Sequence, residues 1–340
     1  MPSKHKIWAQ LPPLPKDQLV SQVQKYESAG LEGIWSSQTF GAPFVPLAAA
    51  AAVSTKLKLG TGIALAFVRS PLDTATMALD VDTISGGRLV LGLGSSAKML
   101  IDAFGMEYGK PLKHMREVIG LIRQIVAKGH TGELGLLEGE YHTLDLRHFR
   151  TLAPPTRTEI PIFMPAVFEK ACQMAGELAN GLLGHPLWSD KWIKEQVFAN
   201  VDTGLKQTGR NRSEIDINLN VFVAVNKDKR EAINDARANI AYYSQSEQYH
   251  RYFEYIGFGK EAKAIQDAFT RNDFTAMSAA CSDEMVEAIA LVGPADEVRR
   301  RMSERAELAD SITPVIPHFG LTPEKAAFYL DGIADCFYGN

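Results

Sequence analysis

The stretch Leu57–Ser96 reads LKLGTGIALAFVRSPLDTATMALDVDTISGGRLVLGLGSS, and its punctuation decides the fold. Leu57–Leu65 and Arg88–Leu93 are short apolar runs bounded by glycines, the pattern of fully buried parallel strands. Between them, Pro71 stands where a first helical turn tolerates proline, and Gly86-Gly87 ends the helix. The result is a βαβ unit whose second strand runs into Gly94, Ser95 and Ser96. Backbone N–H groups and hydroxyls at such a strand end suit a phosphate. On residue type alone, the two serines serve equally well as a helix N-cap.

Working outward, the same alternation recurs. Upstream lie a short strand at Lys6–Ala9 and a helix from Asp17 with Leu19, Val20, Val23 and Tyr26 on one face, closed by Gly30. Then come a strand at Gly33–Ser36, the loop SQTFGAPF and an alanine-rich helix from Pro46. Downstream, Leu112–Ala127 is the clearest amphipathic helix, and Glu133–Leu146 reads as an excursion of hairpin type. Further strands fall at Pro161–Met164, Gly181–Gly184, Asp216–Val225 and Ser311–Ile316, with a helix at Glu169–Ala179 and a last one from Pro323.

Strands alternating with helices in this way predict a single α/β domain over residues 1–340, a (β/α)₈ TIM barrel. The segment 243–285 is too long for one crossover and carries Tyr249, Tyr252, Phe253, Tyr255 and Phe258, so it reads as a helical insertion before the last strand. An open doubly wound sheet is the alternative. Against it, Gly92-x-Gly94 is followed by Ser95, Ser96 and Ala97 rather than by a dinucleotide-binding glycine.

Composition narrows the partners. A hydrophobic share of 46%, a charged share of 22% and a net charge of −4 describe an ordinary globular chain, with no call for nucleic acid or an anionic membrane. The run Arg299-Arg300-Arg301 has Glu297, Glu304 and Glu307 nearby and reads as a solvated helix face. Cys172, Cys281 and Cys336 are far apart, which argues against a disulfide framework or a zinc site and fits a reducing compartment. No signal peptide or membrane span is apparent, so a cytoplasmic protein is expected.

In a barrel, function sits where strands end. That selects Ser37, Gln38 and Thr39, the run Gly62–Phe67, then Gly94, Ser95 and Ser96, then Ala166 to Glu169, and His185. Gln38 and Thr39 do not titrate near neutral pH and act only by hydrogen bonding. His185, with an ordinary pKa of about 6.5, suits proton transfer and equally suits a structural hydrogen bond. Arg69 either anchors the helix after Pro71 or pairs with an anionic group, and Trp35 reads as core. His5, His114, His142, His148, His250 and His318 share no metal-ligand spacing and read as surface or structural residues.

The blocks LGTGIALAFVRSP, DTISGGRLVLGLGSS, Arg116-Glu117, GEYH, IPIFMPAV and AGELANGLLGHP together resemble the bacterial-luciferase-like superfamily. The likeness is to its coenzyme F420 (deazaflavin)-dependent oxidoreductase branch and spans about residues 5 to 310. The resemblance implies a non-prolyl cis peptide at Gly62-Ile63 that supports the central ring of a flavin or deazaflavin. It also implies a cofactor phosphate held at Gly94, Ser95 and Ser96 and by the loop Ala166, Val167 and Phe168. Phe168-Glu169 replaces the usual Gly-Pro there, Gln38-Thr39 replaces an acidic or histidine pair, and Ala97 replaces the glutamate of sugar-phosphate enzymes.

The resemblance implies an F420-dependent oxidoreductase that passes a hydride to or from a small, apolar organic substrate, with Gln38, Thr39 and His185 facing it. One alternative is an FMN-dependent monooxygenase fed by a flavin or F420 reductase partner. Another is a flavin-binding protein with little turnover. Relatives pair through helices beside the second and third strands, and the small side chains of Leu47–Val53 suit such a homodimer.

Overall fold

The computed structural model describes residues 5–38 and 41–339. Twelve strands run through the described residues. They are β1 (Lys6–Gln10), β2 (Gly33–Ser36), β3 (Lys58–Thr61), β4 (Ala64–Leu65), β5 (Leu89–Gly94), β6 (Gly135–Glu138), β7 (Thr143–Leu146), β8 (Ile162–Ala166), β9 (Gly181–Gly184), β10 (Asp216–Val225), β11 (Leu291–Gly293) and β12 (Ser311–Val315). The main sheet has the order β11-β10-β12-β1-β2-β3-β5-β8-β9, with β9 pairing in turn with β10. Its strand pairs run parallel, as in β1 with β2 and β5 with β8. This is the strand order of a (β/α)₈ barrel, the fold expected from the sequence. The excursion is the antiparallel hairpin β6–β7, from Gly135↔Leu146 to Glu138↔Thr143.

The chain packs as two compact units. One comprises Trp8–Leu183 and Thr203–Ile215; the other comprises the start of β1, Gly184–Asp202 and the chain from Asp216 onward.

In the first unit, the core forms because glycines at strand positions leave room for tryptophan. Trp8 and Trp35 stack at 4.0 Å and pack with Val90, Phe163 and Leu183. A Cβ on Gly60 would come closer than 3.0 Å to the Trp35 ring, so only glycine fits beside it. Trp35 is thus core, as its sequence context suggested. The helix Pro71–Ser85 starts at Ser70, whose side chain accepts from Asp73 N, and stops at left-handed Gly86 (φ 68°). It carries Asp82, a buried carboxylate that takes Arg157 Nη2 at 2.6 Å and the N–H of Leu89, the first residue of β5, at 3.2 Å. An acidic side chain survives burial when it is paired in this way.

In the second unit, β10 and β12 share a buried polar ladder. Ser311 Oγ donates to Asp216 at 2.8 Å, Asn218 Nδ2 to Ser311 Oγ at 2.9 Å, and Thr313 Oγ1 to Asn218 Oδ1 at 2.8 Å. The far end of β10, Val223–Val225, pairs with β11. The helix Lys229–Ser244 leads into shorter helices that run to Ile289. Among the described residues, no helix is long and apolar enough to cross a membrane.

Candidate active site

The strand predicted over Leu57–Leu65 is broken in two. β3 ends at Thr61, the Gly62–Ile63 peptide is cis, and the chain resumes as β4 beside β5. Gly62 N donates to Ser36 O at 2.8 Å, and Gln38 N donates to Ile63 O at 3.2 Å, which ties the break to the end of β2. Ile63 is half-buried and lies on the Trp8–Trp35–Phe163 cluster. A Cβ on Gly94 would come closer than 3.0 Å to both Ile63 Cδ1 and Pro165 Cγ. Gly62, Ile63, Gly94 and the strand leading into Ala166 are therefore brought together around an apolar shelf. A flat, apolar ring system fits such a surface.

Gln38 is nearly buried, at 8% exposed, and its carboxamide is oriented by its neighbours. Leu65 N and Arg69 Nη1 each donate at 2.8 Å to Gln38 Oε1. Both are donors only, so the oxygen must face them and the Nε2 N–H groups are what Gln38 has left to offer. Arg69 also lies 3.9 Å from Asp73 in the helix that follows, so it both orients Gln38 and approaches the helix start. Thr39 lies outside the described residues.

At the end of β5, Ser95 and Ser96 are half-buried and neither caps a helix. The short helix Lys98–Ala103 is capped by Ala97 through its backbone. Ser96 is left-handed, with φ 58°, and its carbonyl accepts from Tyr108 Oη at 3.0 Å. Left-handed loop residues recur in the concavities of backbone N–H groups that hold anions. In the other expected phosphate loop, Ala166 ends β8 and Phe168 precedes the helix Glu169–Leu178 with a half-buried Val167 between them. Glu169 opens that helix and its charge, after burial, helps push the Cys172 thiol up to about 12.

A histidine pair that the sequence does not signal lies beside Tyr108. His114, on the helix Pro111–Lys128, and His142, beside the hairpin turn, bring their Nε2 atoms to 2.8 Å. His114 Nδ1 lies 3.3 Å from Tyr108 O, an acceptor, so Nδ1 carries the proton and His142 Nε2–H donates to His114 Nε2. The His114 ring stacks between Phe67 at 3.9 Å and Tyr141 at 4.2 Å. Burial pushes both histidines below the usual imidazole pKa. The turn is fixed by Glu117, which accepts from Glu140, Tyr141 and His142 N–H. Among the described residues, no group of three or more His, Cys, Asp or Glu side chains is placed to hold a metal.

His185 belongs to the second unit and keeps its own surroundings. Leu187 N donates to His185 Nδ1 at 3.3 Å, so Nδ1 is unprotonated and Nε2 carries the hydrogen. Nε2 lies 3.5 Å from Tyr249 Oη, and the ring meets Tyr243 edge-on at 4.9 Å. Burial pushes its pKa down to about 4. At neutral pH, His185 is therefore an N–H donor with its lone pair engaged. The proton-transfer role expected from an ordinary imidazole pKa does not suit that state. Phe222, Tyr242 and Phe319 extend the aromatic surround of Tyr243.

Comparison with known proteins adds to this geometry. The family described as luciferase-like monooxygenase matches residues 1–311. The chain belongs to that family. It is accordingly an enzyme of the oxidoreductase and monooxygenase class. Among luciferase-like relatives, an uncharacterized protein of Mycobacterium tuberculosis is 33% identical over 295 residues, 85% of this chain and 87% of its own. The 5,10-methylenetetrahydromethanopterin reductase of Archaeoglobus fulgidus is 30% identical over 280 residues, 79% of each chain. In fold, the coenzyme F420-dependent tetrahydromethanopterin reductase of Methanopyrus kandleri superposes with a TM-score of 0.78 at 24% identity, over 98% of both chains.

Proposed function

We propose that this luciferase-like protein is an F420-dependent oxidoreductase that transfers a hydride between the deazaflavin and a small, apolar organic substrate. The observation that carries the reading is the 30% identity over 79% of each chain with the Archaeoglobus reductase. That name is shared in part by the F420-dependent Methanopyrus enzyme of the same fold. The site's donor set supports it: an apolar shelf at Gly62-Ile63 beneath a ring, and Ser95 and Ser96 with a left-handed turn beside a phosphate. Ala166, Val167 and Phe168 complete the cradle in this reading.

When bound, the deazaflavin supplies the hydride chemistry. The chain's own residues position and exclude water. Gln38 presents amide N–H donors to a substrate oxygen, because Leu65 and Arg69 hold its carbonyl away. His185, neutral at pH 7, has Nδ1 on the Leu187 N–H and Nε2 toward Tyr249 Oη, and its substrate-facing role rests on the family resemblance alone. Thr39, next to Gln38 in the sequence, is kept as a substrate-facing residue on the family resemblance alone. The homodimer expected from the sequence stays part of the proposal, since the helix Phe44–Val53 leaves Val45, Ala49 and Ala52 exposed. Three free thiols, two of them buried, suit a cytoplasmic location.

A monooxygenase using reduced FMN is the second reading, favoured by the family's own description. Titration of the purified protein with F420 and with reduced FMN, followed by oxygen uptake in the presence of candidate substrates, separates them. Tight F420 binding with no oxygen uptake is the expected result. Oxygen consumption that requires reduced FMN and substrate replaces the first reading with the second.

A further inference from the structure

Ser96 adopts a conformation that its residue type does not favour. Its φ of 58° lies in the left-handed region, which L side chains other than Asn and Asp seldom enter unless neighbours hold them there. Tyr108 holds it there, its Oη donating to Ser96 O at 3.0 Å. Of the described residues 102–110, Tyr108 is the one that is not exposed, so it anchors an otherwise solvated segment.

Tyr108 is itself fixed from two sides. Its ring meets Phe67 edge-on at 5.8 Å, and Phe67 directly follows Ala66, whose N–H donates to Gly94 O at 2.9 Å. Its carbonyl lies 3.3 Å from His114 Nδ1, on the ring that stacks against the same Phe67. The phenol thus spans from the β4–β5 platform to the serine loop. Its bond occupies the Ser96 carbonyl, an oxygen that would repel an anion if turned toward it. Ser95 Oγ also donates to this oxygen, at 3.5 Å, so two hydroxyls converge on the Ser96 carbonyl.

We infer that Tyr108 is a positioning residue for the phosphate of the bound deazaflavin or flavin. It acts through Ser96 and does not touch the ring. The inference rests on the reading that Ser95 and Ser96 hold that phosphate.

The test is selective affinity. Tyr108→Phe keeps the ring on Phe67 and removes only the hydroxyl. Dissociation constants are measured by fluorescence for F420 and for its phosphate-free deazaflavin core, and likewise for FMN and riboflavin. The variant is expected to bind the phosphate-bearing ligands about 3- to 10-fold more weakly, as one hydrogen bond allows, and the phosphate-free ones within about 2-fold. A thermal midpoint close to that of the parent protein accompanies this result. Equal weakening of both ligand kinds, or of neither, overturns the inference while leaving the cofactor reading intact. If the unmodified protein binds none of the four ligands, the cofactor reading fails and takes the inference with it.

Discussion

Replacing Gln38 by leucine removes the acceptor on which two donors converge. Leu65 is 5% exposed, so its N–H finds no water in exchange and the loss costs about 1–3 kcal/mol. Arg69 loses a charge-assisted bond, but its side chain is 16% exposed and Asp73 is 3.9 Å away, so about 1 kcal/mol is a fair share. Burial of the leucine side chain returns about 1 kcal/mol. The net destabilisation is about 2 kcal/mol, a fall in Tm of about 3 °C for a chain of 340 residues. The specific bond is isolated by a cycle with Arg69→Leu: the double variant should cost about 1 kcal/mol less than the sum of the singles. In steady-state hydride transfer, Gln38→Leu should lower kcat about 100-fold, the cost of losing one preorganised donor, while the cofactor Kd stays within about 3-fold. Calorimetry of the four proteins and kinetics of two decide the matter. Strict additivity, or a Gln38→Leu variant as stable as its parent, would refute the orientation assigned to the amide.

Acid should destabilise the protein through His185. Its folded pKa of about 4 lies below the ordinary value near 6.5, so the unfolded state binds the proton first. Stability is then full above about pH 6.5 and falls by about 3 kcal/mol on the way down to pH 4, and a His185→Gln variant should flatten that slope in urea titrations. His114 and His142, also shifted down, add to the loss over the same side of neutrality. Gly92→Ala and Gly94→Ala should part company. The first drives a Cβ into the Thr61 carbonyl, a backbone atom, and should cost about 3 kcal/mol by denaturant unfolding. The second meets the Ile63 and Pro165 side chains, so the fold should survive while cofactor binding weakens about 10-fold in a fluorescence titration. Asp82→Ala should lower stability by about 3 kcal/mol, because it strands the Leu89 N–H and unpairs Arg157.

The fold was legible because its signals are local. Pro71 and Gly86 bound a helix that runs Pro71–Ser85, and Asp216–Val225 emerges at the boundaries its apolar run implies. Strand β11 was not legible: three residues, Leu291–Gly293, carry no periodicity and pair only because the long β10 offers its far end. The break in the third strand is invisible to hydrophobic pattern, since Ile63 is apolar whether it extends the strand or interrupts it. It was named only through family resemblance. The site was legible to the extent that strand ends could be located, which placed Gln38, Ser95 and Ser96 but not their partners. His114 and His142 lie 28 positions apart and meet because Glu117 folds the hairpin turn against the helix. Tyr108 sits in an exposed stretch with no pattern of its own. His185 was located correctly at a strand end, yet its protonation state depends on burial and on the Leu187 N–H, neither of which a sequence displays.

The central claim is that one cradle, made by the Gly62-Ile63 shelf and the Ser95-Ser96 turn, holds an F420-type cofactor. A crystal structure of the protein soaked with F420 tests it most directly. The expected result has the deazaflavin ring lying against Ile63, its phosphate within hydrogen-bond reach of Ser95 and Ser96, and the Gln38 amide nitrogen turned toward the substrate side of the ring. A ring bound away from Ile63, or a phosphate with no contact to either serine, would contradict the account.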